Sequence, residues 1–300
     1  MVEFKRGIRN DKFIKALERL SRIDGWWRDV LLDKSLIIAV RDESLNVYWR
    51  GQSIFYVVMQ NDDTVVATTH SKYLLNPDLS KQVSFDGNSF AIGPIEATAL
   101  IRTYEPGKTL NKLKRAADLF SGDEKRGVHD IVTSNDNIVD VEITMRGSGV
   151  LDAGLLPRAD IAAFDEDKRG IRLVLWEAKT FYNKELRLTG KKNVVNQIKK
   201  YKDVVTALRP SIIKSYKCVA KNLIAIADMS GGHRKYNESI RKVAKGAELV
   251  IREPADVGLI VFGYDAAQLK HVWKDFSVAL GKAIEPSQLK TAGDVKNLTI

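Results

Sequence analysis

The sequence predicts a mixed α/β (α+β) protein, in which an antiparallel β meander precedes a core built on a mixed sheet. Between residues 35 and 69, four short runs rich in branched and aromatic side chains alternate with turn-forming residues. This is the pattern of an antiparallel meander. After residue 156, apolar strand-like runs alternate with amphipathic, helix-like segments. That alternation is typical of a sheet covered by helices.

A charged segment bounded by glycine, residues 121–127, separates these two parts of the chain. Domain boundaries fall in exposed, polar or glycine-rich segments that few contacts cross. We therefore predict an N-terminal module over residues 1–125 and a second domain over residues 126–300. The N-terminal module begins with an amphipathic helix from Asp11 to Ser21 and continues into the meander. We expect this module to recognise substrate or a partner and to do no chemistry.

The second domain is predicted to contain a strand hairpin, further strands and several helices. Residues 161–164 and 171–176 form apolar runs on either side of a charged turn that ends in Gly170, which predicts the hairpin. The remaining expectations are a helix over residues 193–208, a buried strand over 223–227, a basic helix over 236–245, a strand over 257–264, a helix over 266–282 and a loosely attached C-terminal tail.

Composition limits the class of protein. The 300 residues carry a net charge of +10 and include one cysteine, Cys218, so an intramolecular disulfide and a cysteine-type zinc site are excluded. The first residues lack the apolar core of a signal peptide, and no apolar run approaches the length of a bilayer span. We therefore expect a cytoplasmic protein that has no membrane segment.

Three polar residues are predicted to converge at one end of the sheet. The second strand of the hairpin ends in Glu177 and Lys179, which share one face because side chains alternate along a strand. Asp160 begins the neighbouring strand. Carboxylates are hard oxygen ligands for Mg²⁺ or Mn²⁺, and such an ion supports phosphodiester hydrolysis. The alternative is an ion pair at a strand end; in either case we expect Glu177 and Lys179 to be exposed to solvent.

The helix that follows the hairpin carries Gln197 and Tyr201 one turn apart, on one face. The order Asp160, Glu177-Ala-Lys179, Gln197-x-x-x-Tyr201 resembles the PD-(D/E)XK nuclease superfamily, and more narrowly its RecB-like branch. Upstream, Glu142 in Val-Asp-Val-Glu-Ile-Thr resembles the additional acidic motif of such nucleases. The resemblance covers about residues 126–265. The sequence departs from the family name at one point, because Asp160 is preceded by Arg-Ala and not by proline.

The resemblance implies a restriction-endonuclease-like fold and a metal-dependent (endo)deoxyribonuclease that uses Mg²⁺ or Mn²⁺, with exonuclease action left open. Asp160 and Glu177 would bind the ion, with Glu142 as a further ligand or a support. Lys179 would position the attacking water, Gln197 would orient Lys179 or the water, and Tyr201 would contact a phosphate. Restriction and defence against phage are the settings that we favour.

A basic segment follows the hairpin directly. Residues 181–217 contain ten Lys or Arg and two acids, a net charge of +8. A basic surface beside an acidic cluster is what a polyanionic substrate needs, although a solvated helix face is the simpler interpretation of a lysine run. We favour DNA over RNA as the ligand. The predicted nucleic-acid-binding residues are Lys184, Arg187, Lys191, Lys192, Lys199 and Lys200.

Two other hypotheses stay open. The chain could be a catalytically inactive nuclease fold that serves as a nucleic-acid-binding module or a scaffold. It could also be a subunit of a larger complex; since the sequence has no ATP-binding motif, any motor in such a complex must be another protein. A homodimer is compatible with either hypothesis.

Overall fold

The computed structural model describes residues 3–61, 64–75, 101–145, 158–188, 193–271 and 273–300. It contains two separate sheets. One is antiparallel, has four strands and lies in the N-terminal part of the chain; the other is mixed and has six strands. The predicted mixed α/β class is therefore confirmed at this level.

The N-terminal part contains the predicted amphipathic helix and β meander, together with three further α-helices among the described residues, of which the last crosses the predicted boundary between residues 125 and 126. Helix α1 begins where the Asn10 side chain accepts a hydrogen bond from the Lys12 amide, and it buries one apolar face. The four strands pair in chain order, each antiparallel to the next. The elements are α1 (Asp11–Ser21), α2 (Trp26–Leu32), β1 (Ile37–Val40), β2 (Ser44–Trp49), β3 (Gln52–Asn61), β4 (Thr64–Thr68), α3 (Thr109–Asp118) and α4 (Asp123–Ser134).

The second sheet has the strand order β10-β9-β7-β6-β5, with β8 beside the start of β7. Strands β5, β6 and β7 are antiparallel, whereas β7, β9 and β10 are parallel. The strands are β5 (Ile138–Ile143), β6 (Ala159–Asp167), β7 (Gly170–Thr180), β8 (Leu249–Val250), β9 (Val257–Phe262) and β10 (Leu289–Ala292). The helices of this part are α5 (Val194–Ala207), α6 (Arg209–Met229), α7 (Glu238–Ala244), α8 (Ala266–His271) and α9 (Trp273–Ala283).

Helices cover both faces of the six-stranded sheet. One face presents Leu173 and Leu175 to the main core, which also contains Ile198 of α5 and Tyr216 of α6. The other face carries Trp176 in a smaller core, with α4 packed against it. The middle of β7, from Leu173 to Trp176, is therefore apolar on both sides, and at its end Glu177 and Lys179 replace the aliphatic side chains on the α5 face.

The main core continues across the predicted boundary near residue 125. Leu17 of α1 and Val40 of β1 belong to the same buried cluster as the core residues of β7 and α6. Buried Asp140 of β5 also forms ion pairs with Arg6 and Arg41 of the N-terminal part. The division into two domains stays a prediction, and the two parts share apolar and ionic contacts in this structure.

Two expectations about the C-terminal half are wrong. Residues 223–227 belong to helix α6, because their apolar side chains continue a helical spacing that includes buried Val219 and Ala220. The helix predicted over 266–282 agrees with α8 and α9, which end and begin on either side of residue 272, outside the described residues. The C-terminal tail is anchored, since β10 pairs with β9 and the Ile300 amide donates to Asn135 Oδ1 at 3.0 Å.

Some expectations fall outside the described residues. Among them are the predicted nucleic-acid-binding residues Lys191 and Lys192. The described part of the chain contains no helix with both the length and the apolar character needed to cross a membrane.

Candidate active site

Strand register sets three carboxylates side by side. In the β6–β7 hairpin Ile161 pairs with Trp176, so the preceding residue of β6, Asp160, stands opposite Glu177. Between β5 and β6, the pairs on either side place Glu142 beside Asp160. All three residues line a cleft of about 300 Å³, together with Lys179 and with Gln197 of α5. The structure therefore brings together five of the six residues predicted to form the site in a single cleft.

The sixth residue, Tyr201, contacts the same cluster from helix α5. Glu177 Oε1 accepts a hydrogen bond from Gln197 Nε2 at 2.8 Å, and its Oε2 accepts one from the Tyr201 hydroxyl at 3.3 Å. The spacing of four residues on α5 turns both side chains to Glu177. Gln197 thus contacts Glu177 and not Lys179, and the Tyr201 side chain is buried in the main core.

The expectation that Glu177 and Lys179 are exposed is wrong. Their side chains are 2 % and 9 % exposed, and Lys179 Nζ lies 2.7 Å from Glu177 Oε1. The reason is helix α5, which packs over the end of β7 and supplies the partners of Glu177. Unpaired ions are rarely buried because desolvation is costly, and here the two residues enter the interior as a pair.

A fourth carboxylate, Glu185, holds the other side of the lysine. Its Oε2 lies 2.9 Å from Lys179 Nζ. Burial opposes the charged amine, but Glu177 and Glu185 together raise the pKa of Lys179 above its ordinary value. Sequence reasoning counted Glu185 only as an acid within the basic segment. The turn that carries it begins at Asn183, whose side chain accepts from the Glu185 amide.

Two acidic residues of the row, Asp160 and Glu177, have raised pKa values. Burial, followed by the nearby Glu177 charge, raises the pKa of Asp160 well above its ordinary range. Burial also raises the pKa of Glu177 to about 7, against the opposing effect of Lys179. Among the described residues, Asp160 has a single hydrogen-bond partner, the Ala178 amide, 2.8 Å from Oδ2. The site therefore holds a carboxylate that no protein cation neutralises directly.

Glu142 occupies its position in a strained backbone conformation. Its φ is 53°, in the left-handed region that residues other than glycine rarely adopt. Such residues cost about 1–3 kcal/mol and persist only where the surrounding structure imposes them, often at functional sites. The Glu142 carboxylate pairs with Arg158, whose side chain is exposed. Sequence reasoning did not predict this arginine as part of the site.

The N-terminal part and α4 complete the wall of the cleft. Tyr48 and Gly51 come from the four-stranded sheet, and Glu124 and His129 come from α4. Glu124 Oε2 accepts hydrogen bonds from Asn183 Nδ2 at 2.9 Å and from the Thr180 amide at 3.4 Å, so it ties α4 to the end of β7. Sequence reasoning placed Glu124 in the charged segment between the two predicted domains and not in the site.

Four of the predicted nucleic-acid-binding residues are exposed on elements that carry residues of this cluster. Lys184 and Arg187 are exposed on the turn that contains Glu185. Lys199 and Lys200 are exposed on α5, two and three residues beyond Gln197. The positive charge is therefore carried by the two elements that supply the partners of Glu177 and Lys179.

Carboxylate oxygens are suitable ligands for a hard divalent cation, although the carboxylates of Glu142 and Glu177 are paired with Arg158 and Lys179 in this structure. Within the described ranges, no group of three or more His, Cys, Asp or Glu side chains is arranged to hold a metal ion. Three protein contacts occupy carboxylate oxygens of the row: Arg158 pairs with Glu142, and both Lys179 and Gln197 contact Glu177 Oε1. The oxygen ligands that Mg²⁺ and Mn²⁺ prefer are nevertheless present in one row.

Comparisons of the chain with protein-family models, with curated proteins and with solved structures returned no match.

Proposed function

We propose that this chain is a metal-dependent nuclease that hydrolyses phosphodiester bonds in DNA. The observation that carries the proposal is the row of Glu142, Asp160 and Glu177 on three neighbouring strands, with Lys179 in the same cleft. Buried carboxylates that repel one another are costly for a fold to keep. Perturbed ionisable groups of this kind are concentrated at functional sites.

Asp160 and Glu177 are the residues that would hold a divalent ion, with Glu142 as a third oxygen ligand once Arg158 releases it. Asp160 fits this role best, because it is partly buried and its only bond among the described residues is to a backbone amide. Bound Mg²⁺ or Mn²⁺ would supply charge stabilisation at the phosphate and a more acidic water.

The other residues of the cleft have roles that follow from their contacts. Lys179 carries a positive charge, and its amine can hold a water molecule or stabilise negative charge that develops on the phosphate. Gln197 and Tyr201 fix the orientation of the Glu177 carboxylate and so act as positioning residues. Lys199 and Lys200 would attract the DNA backbone in a manner that salt weakens.

The test is incubation with closed circular and linear DNA in Mg²⁺, Mn²⁺ or EDTA. We expect cutting of closed circles with either metal and none in EDTA, and Glu177→Gln should abolish cutting while the protein still binds Mn²⁺ more weakly in a titration. If only linear DNA is cut, the proposed activity is that of an exonuclease and not of an endonuclease. Cutting at the parent rate by Glu177→Gln would overturn the assignment of this cluster.

A second candidate function is a nucleic-acid-binding scaffold without catalysis. It is favoured by one feature of the structure, the Lys179 amine held between two carboxylates, Glu177 and Glu185. A scaffold would bind DNA equally in Ca²⁺ and Mg²⁺ and cut it in neither. A protein partner, a motor subunit or a second copy of the chain would be compatible with both functions. Restriction or defence against phage is the biological setting that we propose for the nuclease.

A further inference from the structure

The chain carries an exposed aromatic ring a few residues after the candidate active site. Tyr182 comes three residues after Lys179, just beyond the end of β7, and 64 % of its surface is exposed. Its neighbour Asn183 is bonded to Glu124 in the wall of the cleft. Because single exposed apolar side chains are common on protein surfaces, exposure alone does not indicate a ligand; the way this ring is held and its basic surroundings do.

The ring is held in a defined position. The Tyr182 hydroxyl is hydrogen bonded to Gln268 of α8. Its ring meets that of Phe181 edge to face, with centroids 5.8 Å apart and planes at 88°. Phe181 is itself buried and packs against Tyr264 and Trp273. A ring fixed in this way loses little rotamer freedom when a ligand stacks on it.

The surroundings of Tyr182 are basic. Lys184 and Arg187 are exposed on the turn that follows it, and Lys270 is exposed on α8, the helix that bonds its hydroxyl. The same turn packs against α9. An aromatic platform among cations is the arrangement by which proteins bind unpaired nucleotides, with bases stacked on rings and phosphates near Lys and Arg.

We propose that Tyr182 stacks on an unpaired nucleobase next to the scissile phosphate, so that the substrate class is DNA with a single-stranded segment. A base within a duplex has both faces covered by its neighbours and offers none to the ring. This inference rests on the proposed function for its nucleic-acid ligand, but binding tests it without any cleavage.

The experiment compares three fluorescent ligands by anisotropy in Ca²⁺: a single-stranded oligonucleotide, a blunt hairpin duplex of equal charge, and a single strand in which central nucleotides lack their bases. The full-length parent should bind the intact single strand most tightly. Tyr182→Leu should weaken that binding by about tenfold, the range expected for one stacked base. Tyr182→Phe keeps the ring and should retain most of the affinity.

The matched control is Tyr56→Leu. Tyr56 is 45 % exposed on β3 of the four-stranded sheet, so the substitution is chemically identical but lies outside the basic turn that follows β7. Tyr56→Leu should bind all three ligands as the parent does, and the loss in Tyr182→Leu should vanish on the strand that lacks bases.

Equal loss on the intact strand and on the strand without bases would overturn stacking, and so would parent-like binding by Tyr182→Leu. The proposed nuclease could still stand in that case, since Glu177→Gln tests it separately. Conversely, if binding depends on the Tyr182 ring but the parent protein does not cut DNA, this inference stands and the scaffold function is favoured.

Discussion

Substitution of Lys179 by methionine is the most direct test of the candidate site. The change removes the ammonium group but keeps a long, unbranched side chain. Glu177 and Glu185, which lie 2.7 Å and 2.9 Å from Lys179 Nζ, then lose the cation between them. Breaking a buried ion pair costs about 3–5 kcal/mol when the remaining charge stays buried.

The expected loss of stability is smaller, because Glu177 can take up a proton. Its pKa is already about 7, so at neutral pH the protonated form is within reach at little further cost. We therefore expect Lys179→Met to lower the free energy of unfolding by about 1–2 kcal/mol at pH 7, within the usual range for a lost hydrogen bond to a charged group. Urea unfolding followed by circular dichroism measures this.

Catalysis should suffer more than stability. If the Lys179 amine stabilises the transition state, its removal should cost about a hundredfold or more in rate, or about 3 kcal/mol of barrier. The assay is the initial rate of cutting of supercoiled plasmid in Mg²⁺. The matched control is Lys242→Met, which removes a lysine paired with Glu166 at the surface. This control should match the parent in unfolding midpoint and in rate.

The nuclease assignment of the cluster fails if folded Lys179→Met cuts at the parent rate. In that event Lys179 is a structural partner of Glu177 and nothing more. If Lys179→Met loses activity and also unfolds at low urea, lost chemistry and lost folding cannot be separated in that variant. Glu177→Gln then provides the test, because it keeps the hydrogen-bonding shape of the side chain.

Three further predictions concern the surroundings of the site. Lys199→Ala with Lys200→Ala should reduce the slope of log Kd against log salt by about 2, measured by anisotropy; an unchanged slope would remove these lysines from the interface. A fragment of residues 127–300 should bind hydrophobic dye and lack near-UV dichroism, because it loses part of the shared core; a folded fragment would establish the predicted boundary instead. His129→Asn should flatten the acid side of the plot of unfolding free energy against pH, because burial lowers the pKa of His129 to about 4, from about 6.5 in the unfolded chain. The histidine therefore contributes stability above pH 6.5 that is lost as the pH falls towards 4, and the loss between pH 7.5 and 5 is about 2 kcal/mol. The exposed His233→Asn should follow the parent, and a parent-like curve for His129→Asn would refute this account.

Much of the fold could be predicted from the sequence, because the patterns that indicate strands depend only on residues close together in the chain. Alternation of side chains predicted that Glu177 and Lys179 share a face, and the charged turn before Gly170 predicted the hairpin that sets Asp160 opposite Glu177. Spacing by four residues predicted that Gln197 and Tyr201 point the same way. Each of these inferences needs only residues within one element or one tight turn.

The features that were missed depend on contacts distant in sequence. Burial of Glu177 follows from α5 lying over the end of β7, and no local pattern states which helix covers which strand. Glu185 and Glu124 reach the site through Lys179 and Asn183, and Arg158 does so through Glu142. A short apolar run such as residues 223–227 cannot be assigned to strand or helix by itself.

The contacts of His129 connect the N-terminal sheet to the candidate site. Its Nδ1 accepts a hydrogen bond from the Arg50 amide at 3.1 Å, and its ring packs edge to face against Trp49 with centroids 5.0 Å apart. This places the turn between β2 and β3 on α4, the helix that also presents Glu124 to the cleft. Because an imidazole can accept at Nδ1 only when that nitrogen is unprotonated, the contact needs neutral His129. A ligand that shifts the β2–β3 turn would therefore act directly on one wall of the cleft, so the recognition predicted for the N-terminal sheet and the chemistry proposed for the acidic row would share a physical connection.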